Sequence, residues 1–98
     1  MAQRWQFLYG EDEIAVLNTP SSEELHVNGS LQDVSTGSVS RTGACLDGAL
    51  GSGERLKALL TSNSLEVRCS LYVDGELLVD GSRSGDGTHI LERRGRTR

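Results

Sequence analysis

Apolar and polar residues alternate near the start of the chain with the period of two that is typical of β-strands. Trp5, Phe7 and Tyr9 fall on one face of such a strand, and an apolar stretch resumes over residues 14–17. The Gly-Glu-Asp-Glu sequence at 10–13 supplies the turn, which predicts a first hairpin with a loop of about four residues. The aromatic side chains could form an exposed binding ridge. We expect them in the core instead, because the chain has only one other aromatic residue.

Two pairs of the type Asx-Gly mark further hairpins, because type I′ turns need positive φ at both central residues. The first pair, Asn28-Gly29, lies between the apolar positions of 25–27 and Leu31. Residues 35–43 are then rich in serine, threonine and glycine, which predicts a long loop or an edge strand over about 34–41. Such an edge would offer unpaired backbone groups to another chain.

The second pair, Asp74-Gly75, turns the strand of residues 65–73 back into residues 76–79. With a two-residue loop, the predicted opposite pairs are Val73 with Glu76, Tyr72 with Leu77, and Leu71 with Leu78. Both faces of this hairpin then carry apolar side chains. The pattern predicts a strand pair buried within a sandwich or barrel rather than one at a solvated rim.

Residues 48–64 fit two patterns. Leu56, Leu59 and Leu60 have the spacing of an apolar helix face, and the run Glu-Arg-Leu-Lys-Ala-Leu-Leu has high helix propensity. A strand with Leu56, Ala58 and Leu60 on one face competes with that interpretation. On propensity, we favour a short helix near residues 53–61.

These elements predict a mainly β fold, a small antiparallel β-sandwich or barrel of about six to eight strands with one short helix near residues 53–61. The length of 98 residues suffices for one core but not for two. We assign residues 1–91 to a single β-rich domain. Residues 92–98 form an arginine-rich C-terminal tail, which we expect to be disordered.

The charge is unevenly distributed along the chain. Residues 1–91 contain thirteen acidic and six basic residues, a net charge of −7, whereas residues 92–98 contribute +3 to the total of −4. A reader of duplex DNA carries positive charge on its folded body, so we expect no duplex-DNA partner. The tail arginines are the interaction residues that we single out, because they could contact RNA or an acidic partner. They are Arg93, Arg94, Arg96 and Arg98.

Cys45 and Cys69 are the two cysteines, and they show neither a CxxC spacing nor a Cys/His cluster. The first residues lack the apolar core of a secretion signal. No apolar run approaches the roughly 20 residues that span a bilayer. We therefore expect two free thiols, an intracellular, cytoplasmic location and no membrane partner.

Two loops resemble ligand sites but lack parts that the chemistry needs. Residues 80–88 space their oxygens as a calcium-binding EF-hand loop does, but Leu91 stands where that loop has a bidentate glutamate. Gly48, Gly51 and Gly53 precede the proposed helix without the Gly-Lys-Ser/Thr ending of a phosphate loop. We expect neither a metal nor a cofactor.

The sequence gives little indication of a catalytic site. His26 and His89 are isolated in the sequence, and no serine lies in a Gly-x-Ser-x-Gly motif. The acids at 11–13 and 23–24 sit beside predicted turns, where we expect hydrated carboxylates rather than groups tuned for proton transfer. The chain is therefore not expected to be an enzyme.

Two segments share an Asx-Gly turn and its flanking residues: Glu-Leu-His-Val-Asn-Gly at 24–29, and Cys-Ser-Leu-Tyr-Val-Asp-Gly-Glu-Leu-Leu at 69–78. With the early tryptophan, they resemble the β-sandwich domain of Fas apoptotic inhibitory molecules over residues 14–79, about two-thirds of the chain. The chain differs in the middle, where Gly-Glu-Arg-Leu-Lys-Ala-Leu-Leu replaces an aromatic-rich stretch. The resemblance implies a non-enzymatic intracellular β-sandwich that binds other proteins, and no functional residue is carried over.

The leading functional hypothesis is a non-enzymatic protein-interaction module that acts through a β-sheet edge or loops, with a homodimer through an edge strand as a further expectation. One alternative is a small acidic inhibitor of the phage type that blocks a basic nucleic-acid-binding surface. The acidic body favours it and the arginine tail argues against it. Another alternative is a small-ligand-binding barrel or an enzyme subunit, with its site in the barrel mouth.

Overall fold

Nine β-strands and no helix make up the described part of the chain, which in this computed structural model comprises residues 3–36, 43–62, 66–85 and 87–91. In chain order the strands are β1 (Gln3–Tyr9), β2 (Asp12–Asn18), β3 (Ser22–Val27), β4 (Ser30–Thr36), β5 (Ala44–Ala49), β6 (Arg55–Ser62), β7 (Val67–Val73), β8 (Glu76–Arg83) and β9 (Thr88–Leu91). The mainly β fold is confirmed. The segment expected to be a helix is strand β6 and pairs with β5, and these strands bring the number above the expected range.

The strands form two sheets. The five-stranded sheet has the order β4-β3-β2-β1-β9, and the four-stranded sheet has the order β5-β6-β7-β8. Neighbouring strands are antiparallel, except that β9 lies parallel to β1. The chain therefore crosses from the four-stranded sheet back to the five-stranded sheet between β8 and β9.

The core lies between the inner faces of the two sheets. Trp5, Phe7 and Tyr9 are at most 2% exposed, so the prediction that they fill the core is confirmed. They form one apolar cluster with side chains from both sheets. Full burial of such a side chain contributes roughly 1.5–3 kcal/mol. The other buried apolar residues are Ile14, Val16, Leu25, Val27, Ala44, Leu46, Leu50, Leu56, Ala58, Leu60, Cys69, Leu71 and Val73.

The prediction of a helix near residues 53–61 is wrong, because this segment is strand β6. Leu56, Ala58 and Leu60 point into the core and are at most 1% exposed, as the competing strand interpretation required. β6 pairs with β5 on one side and β7 on the other. The two hydrogen-bonded ladders and the buried alternate face outweigh an intrinsic helix propensity that amounts to only a few tenths of a kcal/mol per residue.

The Asp74-Gly75 turn has two residues, and the predicted pairs Val73–Glu76 and Tyr72–Leu77 are both confirmed. The third pair is wrong. Leu71 pairs with Val79 instead of Leu78, because an irregularity between Leu71 and Tyr72 shifts the register of the β7–β8 ladder. The hairpin is also less buried than expected, since β8 lies at the edge of its sheet and Leu77 is 40% exposed.

The loop of the first hairpin is shorter than the four residues that the sequence predicts. β1 ends at Tyr9 and β2 begins at Asp12, so the turn consists of residues 10–11. Gly10 has a φ of 62°, the positive value that a tight hairpin turn requires. The shorter turn places Asp12 in the ladder opposite Tyr9.

Hydrogen bonds join the two sheets along both sides of the sandwich. On one side, the backbone N–H of Asp47 in β5 donates to Oδ2 of Asp33 in β4 at 2.9 Å. On the other side, the indole Nε1 of Trp5 in β1 donates to the carbonyl oxygen of Ser82 in β8 at 2.8 Å. The two outer faces of the sheets are therefore the broad surfaces that this part of the chain presents to solvent.

Candidate functional site

The outer face of the four-stranded sheet forms an open concavity of about 960 Å³. Side chains alternate along a strand, so the residues between the buried positions of β6 and β7 point outward. The concavity is lined by the apolar side chain of Leu59, by Tyr72 and by the exposed Cys45. Leu77 of β8 extends this surface, because it lies opposite Tyr72 in the ladder. We call Cys45, Leu59, Tyr72 and Leu77 the tyrosine patch.

Charged side chains surround the tyrosine patch. Asp47, Lys57 and Tyr72 are successive partners across β5, β6 and β7. Arg55 and Asp74 line the concavity at the end of the sheet. Neither Arg55 nor Lys57 lies within 4 Å of a carboxylate from any described residue. A half-buried tyrosine beside leucines, bordered by these two cations, has the composition of a protein-binding surface.

The Asp74-Gly75 turn fixes the edge of this concavity. Asp74 has a φ of 50°, which the type I′ turn requires. Its Oδ1 accepts a hydrogen bond from the backbone N–H of Arg55 at 2.9 Å. Its own N–H donates to the carbonyl oxygen of Arg55 at 2.8 Å. The turn that the sequence indicates most clearly thus also attaches β7 and β8 to the start of β6.

The sequence contains only a weak signal for this surface. Lys57 and Tyr72 fall at the polar positions of alternating strands, and these positions look like an ordinary solvated face. The sequence predicts Leu59 on a helix face and Leu77 on a buried hairpin. The patch can be recognised only once β6 is known to be a strand and β8 is known to be the edge strand of its sheet.

Two of the acidic residues expected in hydrated turns are buried, which corrects that expectation. Asp12 is 6% exposed and Glu23 is 2% exposed. Oδ1 of Asp12 accepts hydrogen bonds from Nδ2 of Asn28 at 2.9 Å and from the backbone N–H of Gly51 at 3.2 Å. The carboxylate of Asp12 therefore connects three turns, since partnered charges can be buried at tolerable cost.

Each histidine lies beside a polar partner. His26 on the outer face of the five-stranded sheet has its Nε2 2.9 Å from Oε1 of Glu24. The ring of His89 stacks on Phe7 with a centroid distance of 5.5 Å, and its Nε2 lies 3.3 Å from Oγ of Ser82. Nucleophilic catalysis by a Ser-His pair also needs a group that orients the imidazole. No described residue forms a hydrogen bond or ion pair with the second nitrogen of His89.

The loops that resembled ligand sites take other conformations. Residues 80–83 of the calcium-like motif belong to β8, and Asp86 lies outside the described residues. Within the described ranges, no group of three or more His, Cys, Asp or Glu side chains could hold a metal. Gly48 lies in β5, and the strand β6 rather than a helix follows Gly53. The helix N-terminus that a phosphate loop uses is therefore missing there.

The two cysteines occupy different environments and form no disulfide. Cys45 is exposed on the concavity, whereas Cys69 is buried in the core. Burial raises the pKa of the Cys69 thiol from its ordinary value of 9.0 to about 12. Cys45 is therefore the thiol that solvent and reagents can reach.

Several predicted sites fall wholly or partly beyond the structure's description. The tail arginines Arg93, Arg94, Arg96 and Arg98 lie outside the described residues. The proposed edge strand over 34–41 overlaps the end of β4, and residues 37–41 lie outside the description as well. Where β4 is described, β5 runs beside it and donates to its side chains. These interaction hypotheses stay predictions.

Comparison of the chain with protein families, with curated proteins and with solved structures gives no match. Among the residues that can be described, no helix is long and apolar enough to cross a membrane.

Proposed function

We propose that this protein is a non-enzymatic protein-interaction module that binds its partner on the tyrosine patch. The observation that carries the proposal is the concavity of the four-stranded sheet. It combines Tyr72 and Leu59 with two cations, Arg55 and Lys57, that form no ion pair with any carboxylate among the described residues. Tyrosine and arginine are enriched among the residues that dominate protein interfaces. On a concave face, Tyr72 can bury its ring against a partner while the fold of this protein stays unchanged.

A face suits this role better than the edge at β4. The N–H groups of Asp47 and Ala49 in β5 donate to the side chains of Asp33 and Gln32 in β4, at 2.9 and 3.3 Å. A strand added between β4 and β5 would have to displace these bonds, and each displaced bond leaves groups to be satisfied again. The tyrosine patch needs no such displacement.

Affinity capture with matched variants tests the proposal. The wild-type protein, Tyr72→Ala and the control Gln6→Ala, which lies on the other outer face, are immobilised and exposed to extract from the source cells. We expect one set of proteins to be retained by the wild type and the control and lost with Tyr72→Ala. Thermal unfolding must show that all three are folded. Retention of the same set by Tyr72→Ala would contradict the proposal.

A second candidate function is the acidic inhibitor that blocks a basic nucleic-acid-binding surface. The hairpin turns bring several acids to one end of the sandwich. The backbone N–H of Asn28 donates to the carbonyl oxygen of Glu13, and the backbone N–H of Asp74 donates to the carbonyl oxygen of Arg55. The acidic residues at this end are Glu11, Asp12, Glu13, Glu54, Asp74 and Glu76, and Arg55, the first residue of β6, is the base that lies beside them.

Salt dependence separates the two candidates. Binding by the acidic end should weaken steeply between about 0.05 and 0.5 M salt, because exposed charges are screened. Binding by the tyrosine patch should survive this change, since it depends on apolar burial. The triple variant Glu11→Gln, Glu13→Gln and Glu76→Gln should abolish the first kind of binding and spare the second.

A further inference from the structure

Asn28-Gly29 is the one place in the chain where an asparagine precedes a glycine. The other two asparagines, Asn18 and Asn63, precede a threonine and a serine. Asparagine is a chemically labile residue, because the backbone nitrogen of the next residue can attack its side-chain amide. A side chain on that next residue crowds the attacking nitrogen, and glycine has none. The most reactive pair in the sequence therefore lies in the turn between β3 and β4.

The turn presents this pair to water. Asn28 and Gly29 are both exposed, and a side-chain carbon added to Gly29 would meet no other atom within 4 Å. Residues 30–32, which follow the turn, are exposed as well. Exposed segments of this kind open locally at a lower cost in free energy than the core does. The turn can therefore open while the two sheets stay packed.

Three hydrogen bonds hold Asn28 against the start of β2 while the turn is closed. Its Oδ1 accepts from the backbone N–H of Glu13 at 2.8 Å, and its Nδ2 donates to Oδ1 of Asp12 at 2.9 Å. Its own backbone N–H donates to the carbonyl oxygen of Glu13 at 2.8 Å. Both polar atoms of the side-chain amide are thus engaged. The carbon between them cannot bond to the nitrogen of Gly29 until these contacts break.

We propose that Asn28 is a site of spontaneous deamidation, and that the reaction proceeds when the turn opens locally and frees the amide from Asp12 and Glu13. A base takes the proton from the backbone N–H of Gly29, and that nitrogen attacks Cγ of Asn28. The Cγ–Nδ2 bond breaks, ammonia leaves with a proton returned from the base, and a cyclic succinimide remains. Water then opens the ring at Cγ to give aspartate, or at the main-chain carbonyl carbon to give isoaspartate. The net reaction consumes water and releases ammonium.

Both products break the contact with Asp12. The carboxylate of Asp12 is 6% exposed, and an aspartate at position 28 has no side-chain N–H to donate to it. Two carboxylates then repel each other where a hydrogen bond was. Isoaspartate also routes the backbone through the side chain, and the added methylene group no longer fits a turn of two residues. Neither product returns to asparagine, so the change is permanent.

The damage extends beyond the turn in which it occurs. Oδ1 of Asp12 also accepts from the backbone N–H of Gly51 at 3.2 Å, in the turn between β5 and β6. A displaced Asp12 therefore weakens a contact between the two sheets. Deamidation also adds negative charge at the acidic end of the sandwich. Asn28 thus acts as an ageing site that limits the lifetime of the intact fold, and it does not depend on the function of the tyrosine patch.

Incubation of the wild-type protein in mildly alkaline buffer, followed by peptide mapping with mass spectrometry, tests the site. Asn18 is the internal control, because its Nδ2 is also hydrogen-bonded, to Oε1 of Gln3 at 2.9 Å. We expect conversion at Asn28 and none at Asn18 over the same period. Conversion at Asn28 should be at least about a hundredfold slower in the folded protein than in the chain unfolded by urea, because three hydrogen bonds must break. Equal rates in the two states overturn the proposal, and so does a folded protein in which Asn28 never converts.

Two variants test whether the contact with Asp12 controls the reaction. Asp12→Ala removes the acceptor of Nδ2 and should speed conversion about tenfold, because a hydrogen bond to a charged group is lost. Asp12→Asn is the matched control, since its amide oxygen can still accept, and it should stay within about threefold of the wild type. Thermal unfolding must show that both variants are folded. Equal rates for Asp12→Ala and the wild type overturn the proposal.

Urea below the unfolding transition tests local opening without any variant. Local opening exposes little surface, so the rate at Asn28 should stay within about twofold over this range. A rate that rises as steeply as the unfolded fraction overturns the proposal, because conversion would then require global unfolding. Anion exchange separates the converted protein by its extra negative charge. This fraction should melt several degrees below the unmodified protein. Identical melting temperatures overturn the assigned effect on the fold.

Discussion

The indole Nε1 of Trp5 donates a hydrogen bond of 2.8 Å to the backbone carbonyl oxygen of Ser82 and so connects the first strand to the edge strand of the opposite sheet. The two residues are 77 positions apart in the chain. Ser82 also lies 3.3 Å from Nε2 of His89 through its hydroxyl. Three strands, β1, β8 and β9, thus meet around one residue. This side of the sandwich is closed by polar contacts in addition to apolar packing.

Replacement of Trp5 by phenylalanine should therefore weaken the whole fold. Trp5→Phe removes the donor to the Ser82 carbonyl and leaves space where the larger ring system was packed. We expect the free energy of unfolding to fall by about 2–4 kcal/mol. Urea denaturation measures this loss. Gln6→Ala, on the same strand but the outer face, should change it by less than about 0.5 kcal/mol. Equal losses in the two variants would contradict this role of Trp5.

Asn28 and Asp12 form a second long-range connection, which an exchange of side chains can test. Asn28→Asp removes the Nδ2 donor and sets two carboxylates 2.9 Å apart in place of the observed hydrogen bond. We expect a loss of about 2–4 kcal/mol in the free energy of unfolding at neutral pH. The loss should shrink near pH 4, where protonation of one carboxyl supplies a new donor.

The exchanged double variant is the control for this pair. With Asp12→Asn and Asn28→Asp together, the amide at position 12 can donate to the carboxylate at position 28. The backbone N–H groups of Glu13 and Gly51 keep acceptors. The double variant should recover at least half of the stability that the single variant loses. No recovery would mean that the loss comes from the turn conformation of Asn28, whose φ is 52°.

Local chemistry made much of the fold predictable. The positive φ values at Asn28 and Asp74 occur at the two Asx-Gly pairs, where the turn type demands them. The alternation of Trp5, Phe7 and Tyr9 correctly indicated a strand with one buried face. These features depend on neighbours within a few residues, so the sequence contains the information directly.

Features that depend on distant partners were not predictable in this way. The parallel pairing of β9 with β1 and the bond from Trp5 to Ser82 join opposite ends of the chain. The burial of Asp12 depends on donors from two other turns, so its carboxylate looked like an ordinary turn residue. The tyrosine patch was missed for the same reason, because only the sheet order shows that Leu77 lies at an edge.

Leu59 and Leu60 distinguish the strand from the helix that the sequence favoured. Leu60 is fully buried, whereas Leu59 lines the outer concavity. Leu60→Ala should lower the free energy of unfolding by about 2–5 kcal/mol. Leu59→Ala should lower it by less than about 1 kcal/mol and should weaken capture of a partner instead. Chemical denaturation and affinity capture of both variants measure these effects. Similar losses of stability would favour the helix, on which both side chains share one face.

Cys69 should make the protein sensitive to alkaline pH. Its pKa is raised from 9.0 to about 12 because the thiolate would be buried without solvation. Below pH 9 both the folded and the unfolded chain keep the proton, so the stabilisation is fully present. Between about pH 9 and pH 12 only the unfolded chain loses it, and the free energy of unfolding should fall by about 1.4 kcal/mol per pH unit from this group.

The contribution of Cys69 can be isolated by comparison and by thiol labelling. Cys69→Ala should start from a lower stability at pH 8 and lose less of it than the wild type between about pH 9 and pH 10.5, because that variant has no thiol to ionise there. An aromatic disulfide reagent at pH 8 should label Cys45 rapidly and Cys69 only after unfolding, since the thiolate is the reactive form. Cys45→Ser should therefore show almost no labelling while folded. Rapid labelling of that variant, or identical slopes with pH for the wild type and Cys69→Ala, would show that the thiol of Cys69 is not buried as described.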